Sequence, residues 1–239
     1  MVYFEDNEVL IRDMIQSDAP IITNEEIAQG WHQTIEKYEM RLQHQAQGKS
    51  FALIAEYKGN VAGYINIYPN SEGGAFANQG YPEIVDFGVL VKYRRNGIGN
   101  KLMDIAEDIA SRYSDTVYLG VGVHNGYGSA QRMYVKRGYI PDGTGVWYRG
   151  SVCPQYTDCC NDDDLGQFTR NYTQTVKRAA DNKRRYAPGW VHSTCLLRGF
   201  PKGAAPHLAH DFAEQSVVCY TLCRRCPENT VAAGEGKGI

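Results

Sequence analysis

The chain has 239 residues, of which 43% are hydrophobic and 22% are charged, as expected for one large globular domain with or without an appendage. No segment reaches the ~18 consecutive apolar residues that a membrane span needs, and the charged first 13 residues do not resemble a signal peptide. The net charge of −2 argues against a wholly basic nucleic-acid binder. We therefore expect neither a membrane nor a nucleic acid as a partner.

The charge is distributed unevenly along the chain. Residues 1–164 carry 14 basic and 22 acidic side chains, whereas residues 165–239 carry 11 and 5. This switch predicts a folded domain over residues 1–165 and a basic, cysteine-containing tail over residues 166–239. Because the tail shows little apolar alternation, we predict that it is irregular and lies outside the domain.

Seven cysteines occur in the chain, and the first 152 residues contain none of them. An odd number without a secretion signal favours reduced thiols and a cytoplasmic location. The loose spacing of Cys219, Cys223 and Cys226 could suit zinc, which leaves a zinc-stabilised adaptor that touches nucleic acid as a weaker alternative. Incidental cysteines are the favoured interpretation, so we expect no metal.

Hydrophobic periodicity predicts alternating strands and helices over the first 150 residues. In chain order these are a strand at 8–13, a helix opened by a capping box at 23–26, a second helix through Leu42, a hairpin of 51–57 and 61–68, a strand at 84–91, a helix at 97–112, a strand at 117–123, a helix at 129–137 and a strand at 145–148. This order predicts an α+β fold in which helices flank a mixed sheet.

The most informative segment joins a predicted strand to the most regular helix. Its basic turn contains Arg94, Arg95 and Asn96, and Gly97 and Gly99 then open the helix. The free amides of a helix start attract phosphate oxygens, and glycine lets phosphates approach the backbone. Taken alone, such a Gly-x-Gly pair more often marks a flexible entry turn. It matches neither the dinucleotide-binding fingerprint nor a P-loop.

Two motifs together resemble those of the GNAT family of N-acetyltransferases. They are Arg94-x-x-Gly97-x-Gly99 and Ala130-x-x-x-Tyr134-x-x-x-Gly138-Tyr139. The resemblance covers about residues 8–150. It implies the family's mixed, mostly antiparallel sheet flanked by helices. It also implies acetyl-coenzyme A (acetyl-CoA) as cosubstrate, with its pyrophosphate held by the first of these motifs.

The resemblance implies a set of cofactor contacts. Backbone amides near two valines would bond the pantetheine and the thioester, and the loop and helix start would hold the phosphates. The contacts are Val89, Val91, Arg94, Arg95, Asn96, Gly97, Ile98, Gly99 and Asn100. Asn125 is a further candidate because the asparagine that often precedes the second motif is Tyr127 here.

Tyr134 matches the family's tyrosine, which would act as a general acid, although its spacing alone favours a packed core aromatic. Glu83 and Asp86 are our candidates for a base acting through water, with a solvated strand position as the equal alternative for each. His124 has a suitable pKa for proton transfer, but a lone histidine is more often structural. We therefore favour the two carboxylates over the histidine.

We expect direct transfer of an acetyl group to a primary amine in a ternary complex. An acidic cluster, which a solvated loop would also explain, favours a small cationic acceptor such as an aminoglycoside or a polyamine. The cluster and its candidate aromatic walls are Asp158, Asp162, Asp163, Asp164, Trp147, Tyr148 and Tyr156. The alternatives are a protein or peptide acceptor and a non-catalytic protein that binds acyl-CoA. The sequence is compatible with a homodimer.

Overall fold

The computed structural model describes residues 1–173 of the chain. The helices in this part are α1 (Asp18–Ala28), α2 (Ile35–Ala46), α3 (Ile98–Ala110) and α4 (Gly128–Arg137). The strands are β1 (Val2–Glu5), β2 (Val9–Asp13), β3 (Phe51–Tyr57), β4 (Asn60–Tyr68), β5 (Glu83–Val89), β6 (Thr116–Gly122), β7 (Ile140–Pro141), β8 (Trp147–Tyr148), β9 (Ser151–Val152) and β10 (Leu165–Tyr172).

The ten strands form one sheet in the order β1-β2-β3-β4-β5-β6-β10-β8-β9, with β7 paired to β10. The pair β5–β6 is parallel, and the other strand pairs of the described chain are antiparallel. This arrangement confirms the predicted mixed, mostly antiparallel sheet and its predicted hairpin, which β3 and β4 form. The predicted strand at 145–148 is present over its last two residues.

Helices pack on both faces of the sheet. Alternate residues of β3 and β4 point to opposite sides, so each strand contributes apolar side chains to both faces. On one face Leu53 and Ile65 pack with Leu102 of α3, in the larger apolar cluster. On the other face Ile54 packs with Ile22 of α1, in the smaller one. Burial on both faces explains why these two strands are continuous apolar runs.

The start of α1 differs from the prediction. A capping box at 23–26 would open a helix at that point, but α1 begins five residues earlier, at Asp18. Asp18 is buried and forms an ion pair with Arg12 of β2 at 2.7 Å. Within the helix the Thr23 hydroxyl donates instead to the Ala19 carbonyl at 2.9 Å. The ion pair to Arg12 and a local hydrogen bond from the Ile15 amide to Asp18 at 2.8 Å therefore hold this helix start.

The predicted boundary at residue 165 is wrong for residues 166–172, because they belong to β10. Seven residue pairs join this strand to β6, from Gly166 with Gly122 to Tyr172 with Thr116. The side chains of β10 that are buried after Leu165 are those of Thr169 and Asn171, and both are polar. The apolar alternation that would predict a strand is therefore missing. Residues 174–239, with the cysteines at 195–226, lie outside the described residues.

We predict that a chain ending at Asp164 loses solubility, because removal of β10 leaves β6 as an exposed edge beside the core. A chain ending at Thr173 keeps every β10–β6 pair, and we expect it to melt at the temperature of the full chain. Size-exclusion chromatography and thermal melting would compare the two truncations. A soluble, monomeric shorter chain with an unchanged melting temperature would contradict the prediction.

Candidate functional site

The candidate site is a cleft of about 1080 Å³ that opens where β5 and β6 separate. The two strands pair in parallel at Glu83 with Tyr118 and at Ile84 with Leu119. Beyond these positions β5 bulges, since its register against β4 shifts and Asp86 has a φ of 46°. The part of β5 that follows Ile84 lines the cleft. Its backbone N–H and C=O groups on that side are not paired with β6.

Besides the single residues Tyr64 of β4 and Gly150, five parts of the chain line the cleft. They are the α1–α2 connection with the first turn of α2, the bulged half of β5, the loop that leads into α3, the region from the end of β6 into α4, and the start of β10 with Trp147 of β8. The loop side carries the two arginines of the first motif. The β10 side carries aspartates and aromatic rings, so the two sides of the cleft differ in charge.

Seven of the ten predicted cofactor contacts line this cleft. They are Val89, Arg94, Arg95, Gly97, Ile98, Gly99 and Asn100. Within the described chain, Val91, Asn96 and Asn125 lie outside the lining. The Val91 amide donates to Oε1 of Gln29 at 2.9 Å, and the Asn96 side chain donates to the Tyr93 carbonyl at 3.1 Å.

The loop and the start of α3 have the features of an anion site. Gly97 caps the helix with a φ of 76°, a conformation that favours glycine, and the space where its Cβ would be is not occupied by any more distant part of residues 1–173. The amides of the first turn have no acceptor inside the helix, and the aligned peptide dipoles make this end positive. Arg94 and Arg95 add two cations beside it. These residues therefore fit the diphosphate of a nucleotide cofactor.

Tyr134 lies on α4 and is both a core residue and a cleft residue. Its side chain is buried, and its ring packs 5.6 Å from that of Tyr139. The hydroxyl has no hydrogen-bond partner among residues 1–173. Burial, with a smaller contribution from Tyr127, raises the pKa of Tyr134 above its usual value. The hydroxyl therefore stays protonated at neutral pH, as a proton donor must.

The structure separates the two carboxylates predicted as bases. Asp86 lines the cleft and forms an ion pair with Arg41 at 2.5 Å. Glu83 is buried outside the lining and accepts a hydrogen bond from the Ser71 hydroxyl. Burial raises the pKa of Glu83. Of the pair, Asp86 is the one in a position to reach a bound substrate.

His124 follows β6 and holds Asp163 in place at the cleft. Its Nδ1 accepts from the Gly126 amide at 3.0 Å, so Nε2 carries the hydrogen that is shared with Asp163 Oδ1, also at 3.0 Å. The Tyr127 hydroxyl donates to the same oxygen. The hydrogen bond from His124 is the main cause that lowers the pKa of Asp163. Both nitrogens of His124 have partners, which supports the structural interpretation of this histidine.

Part of the predicted acidic and aromatic cluster reaches the cleft. Asp163, Asp164 and Trp147 line it, whereas the other members, all within the described residues, do not. Trp147 is fixed by its indole N–H, which donates to Thr144 Oγ1 at 2.7 Å, and by edge-to-face packing on Phe168. Carboxylates and an aromatic face together suit a cation.

The end of α1 and the α1–α2 connection contribute residues that the sequence did not indicate, because only tertiary contacts connect them to the loop that leads into α3. The Arg94 guanidinium lies 5.6 Å from the Trp31 ring centre, and Lys92 forms an ion pair with Glu25 at 2.6 Å. The Gln29 contact to Val91 is the third link. The spacing of these residues carries no signal that would reveal the links.

Over residues 1–173 no group of three or more His, Cys, Asp or Glu side chains could hold a metal ion. In the same part of the chain, no helix combines the length and the apolar character required to traverse a bilayer.

Several solved structures share the fold. YncA from Salmonella typhimurium, solved with its cofactor acetyl-CoA, is 18% identical, with 70% of this chain and 94% of YncA covered at a TM-score of 0.52. A ribosomal-protein-alanine N-acetyltransferase from Brucella melitensis is 17% identical, with 68% and 99% covered at 0.51. Ard1 from Thermoplasma volcanium is 18% identical, with 70% and 98% covered at 0.51. At these identities the likeness shows the fold alone.

A search of curated proteins gave no match. The sequence model of the acetyltransferase (GNAT) family matches residues 15–139, just over half of the chain. The matched segment includes α1 to α4 and both strands that border the cleft. The chain therefore belongs to the GNAT family of acetyltransferases.

Proposed function

We propose that this acetyl-CoA-dependent N-acetyltransferase acetylates a primary amine of a small cationic molecule by direct transfer. One observation carries the proposal: a single cleft joins the positive start of α3 to a carboxylate and aromatic wall on the β10 side. The first end suits the phosphates of the donor, and the second suits an ammonium group. The two substrates would therefore meet between the separated strands.

Residues already described would hold the donor, which supplies an activated acetyl thioester. The amides at the start of α3 would bind its diphosphate, with Arg94 and Arg95 beside them. Backbone groups of β5 beyond the bulge would bond the extended pantetheine arm, as a paired strand would. Val89 is the predicted contact that lines this stretch.

Asp86 and Tyr134 have the properties that proton transfer at this site requires. Asp86 places a carboxylate in the cleft, where it would accept a proton from the attacking amine, directly or through water. The protonated hydroxyl of Tyr134 would supply a proton to the leaving sulfur. The cleft lining contains no cysteine among the described residues, in keeping with direct transfer rather than an acyl-enzyme.

The acceptor side of the cleft supports a cationic substrate. Asp163 is held by two hydrogen bonds through one oxygen, and its side chain remains 80% exposed. A hydrogen-bonded carboxylate of lowered pKa stays ionised at neutral pH and attracts an ammonium group. Trp147 adds an aromatic face that a cation can approach.

Thiol release from acetyl-CoA across a panel of amines tests this proposal. We expect release with polyamines or aminoglycosides, and we expect Asp163→Asn to raise KM for them by about two- to fivefold, the range for a solvent-exposed ion pair. The control is Asp108→Asn, which removes an exposed aspartate of α3 that pairs with Arg112. Release with peptides alone would favour a protein acceptor. No release with any amine would favour a non-catalytic binder.

Gly99→Glu should weaken coenzyme A binding by at least about tenfold, or 1.4 kcal/mol, because a carboxylate would occupy the proposed phosphate site. The control is Gly99→Ala, whose Cβ would lie 3.3 Å from the Phe87 ring and requires only a small shift. Calorimetric titration would measure affinity, and thermal melting would verify folding. Equal affinity of a folded Gly99→Glu protein would contradict the placement of the phosphates.

Tyr134→Phe should lower kcat by about 100-fold or less, the range of one general acid, while coenzyme A affinity stays unchanged. The ring and its packing remain, and only the hydroxyl is removed. Tyr139→Phe is the matched control, because Tyr139 packs against Tyr134 but does not belong to the described cleft lining. Full activity of Tyr134→Phe would mean that the proton comes from another source.

A further inference from the structure

The cleft already contains a primary amine that belongs to the protein itself. Lys37, in the first turn of α2, lines the cleft with a side chain that is 22% exposed. Its Nζ lies 4.9 Å from the ring centre of Tyr38 and 5.4 Å from that of Tyr64. It also donates to Gln33 Oε1 at 3.1 Å. The ammonium group is thus held near two aromatic rings, as a bound cationic substrate would be.

The two rings are fixed by the core and do not depend on the lysine. The Tyr38 and Tyr64 hydroxyls both donate to Glu26, which is fully buried on α1. The rings also pack edge to face, with their centres 5.4 Å apart. The two rings therefore keep their positions whether or not a cation lies beside them.

Lys37 is not required to neutralise Asp86. Arg41 contacts one oxygen of that carboxylate, Oδ2, through two nitrogens, at 2.6 Å from Nε and 2.5 Å from Nη2. Lys37 Nζ is more distant, at 3.7 Å from the other carboxylate oxygen. The lysine is therefore a second and looser cation beside a carboxylate that already has a closer partner.

We propose that Lys37 is a self-acetylation site, modified by the cleft that contains it. This inference rests on the proposed function, because it requires acetyl transfer between β5 and β6. Lys37, Asp86 and Tyr134 all line that one cleft. The amine, the proposed proton acceptor and the proposed proton donor are therefore within a single chain.

The step balances with acetyl-CoA as the only co-reactant. The Lys37 ammonium loses one proton to Asp86, directly or through water, and the freed Nζ attacks the thioester carbonyl carbon. A C–N bond forms and the C–S bond breaks, with its electron pair leaving on sulfur. Nζ loses its second proton to solvent as the amide forms. Tyr134 gives a proton to the thiolate and regains one from solvent, and Asp86 releases its proton to solvent. The net products are a neutral amide, a thiol and one proton.

Isotope-labelled acetyl-CoA and peptide mass spectrometry of the full chain would test the proposal. We expect label at Lys37 to exceed label at the exposed Lys58 by at least about tenfold, because the cleft holds donor and amine together. The labelling rate should not depend on protein concentration. A rate proportional to concentration would mean that one copy modifies another, and would overturn the proposal.

Variants distinguish transfer in the cleft from chemical acetylation in solution. We expect Gly99→Glu to lose the excess label at Lys37 while Lys58 keeps its background level. Lys37→Arg should lose the labelled peptide while keeping the positive charge. Equal label at both lysines, or excess label that persists in Gly99→Glu, would refute self-acetylation.

Thiol release on the same preparation separates this inference from the proposed function. If added amines are acetylated and Lys37 stays unlabelled, self-acetylation alone is wrong. If neither added amines nor Lys37 receive an acetyl group, the proposed function is wrong as well. Label at Lys37 without turnover of any added amine would support self-acetylation and remove the support for a small cationic acceptor.

Discussion

The separation of β5 from β6 is the constraint on which the rest of the structure depends. Two parallel pairs hold the strands together, and the bulge at Asp86 then turns β5 away. Where two strands separate, the apolar side chains of the sheet would be exposed to solvent unless helices covered both faces. Helix α3 and the α1–α2 pair provide that cover, and the gap is the place where a thioester and an amine would meet in our proposed mechanism.

Much of the fold was predictable because its elements follow simple periodicity. The hairpin β3–β4 and helix α3 are amphipathic or continuously apolar, so their patterns are legible in sequence. Strand β10 was missed because Thr169 and Asn171 occupy its buried positions. The Asn171 side chain donates to the carbonyl of Arg137, which ends α4. Such residues are selected by a tertiary partner, and no local pattern reveals them.

The site was predictable where a motif fixes the backbone and less so elsewhere. Gly97 and Gly99 predict a helix start at which phosphates can approach the backbone. The structure places both residues at the cleft. Glu83 and Asp86 looked equivalent, because three residues of sequence do not reveal a bulge that sends one carboxyl into the core and the other into the cleft. Lys37 and Trp31 carried no signal, since they reach the cleft only when α1 and α2 pack on the sheet.

The contacts between the end of α1 and the loop that leads into α3 could make the binding of one substrate depend on the other. Gln29, Glu25 and Trp31 contact Val91, Lys92 and Arg94, so the α1–α2 side of the cleft is joined to the loop that leads into α3. A phosphate that draws Arg94 away from the Trp31 ring would loosen one of these links. An amine that contacts the α1–α2 side of the cleft, which Trp31 and Lys37 line, would then bind with an affinity that depends on the donor.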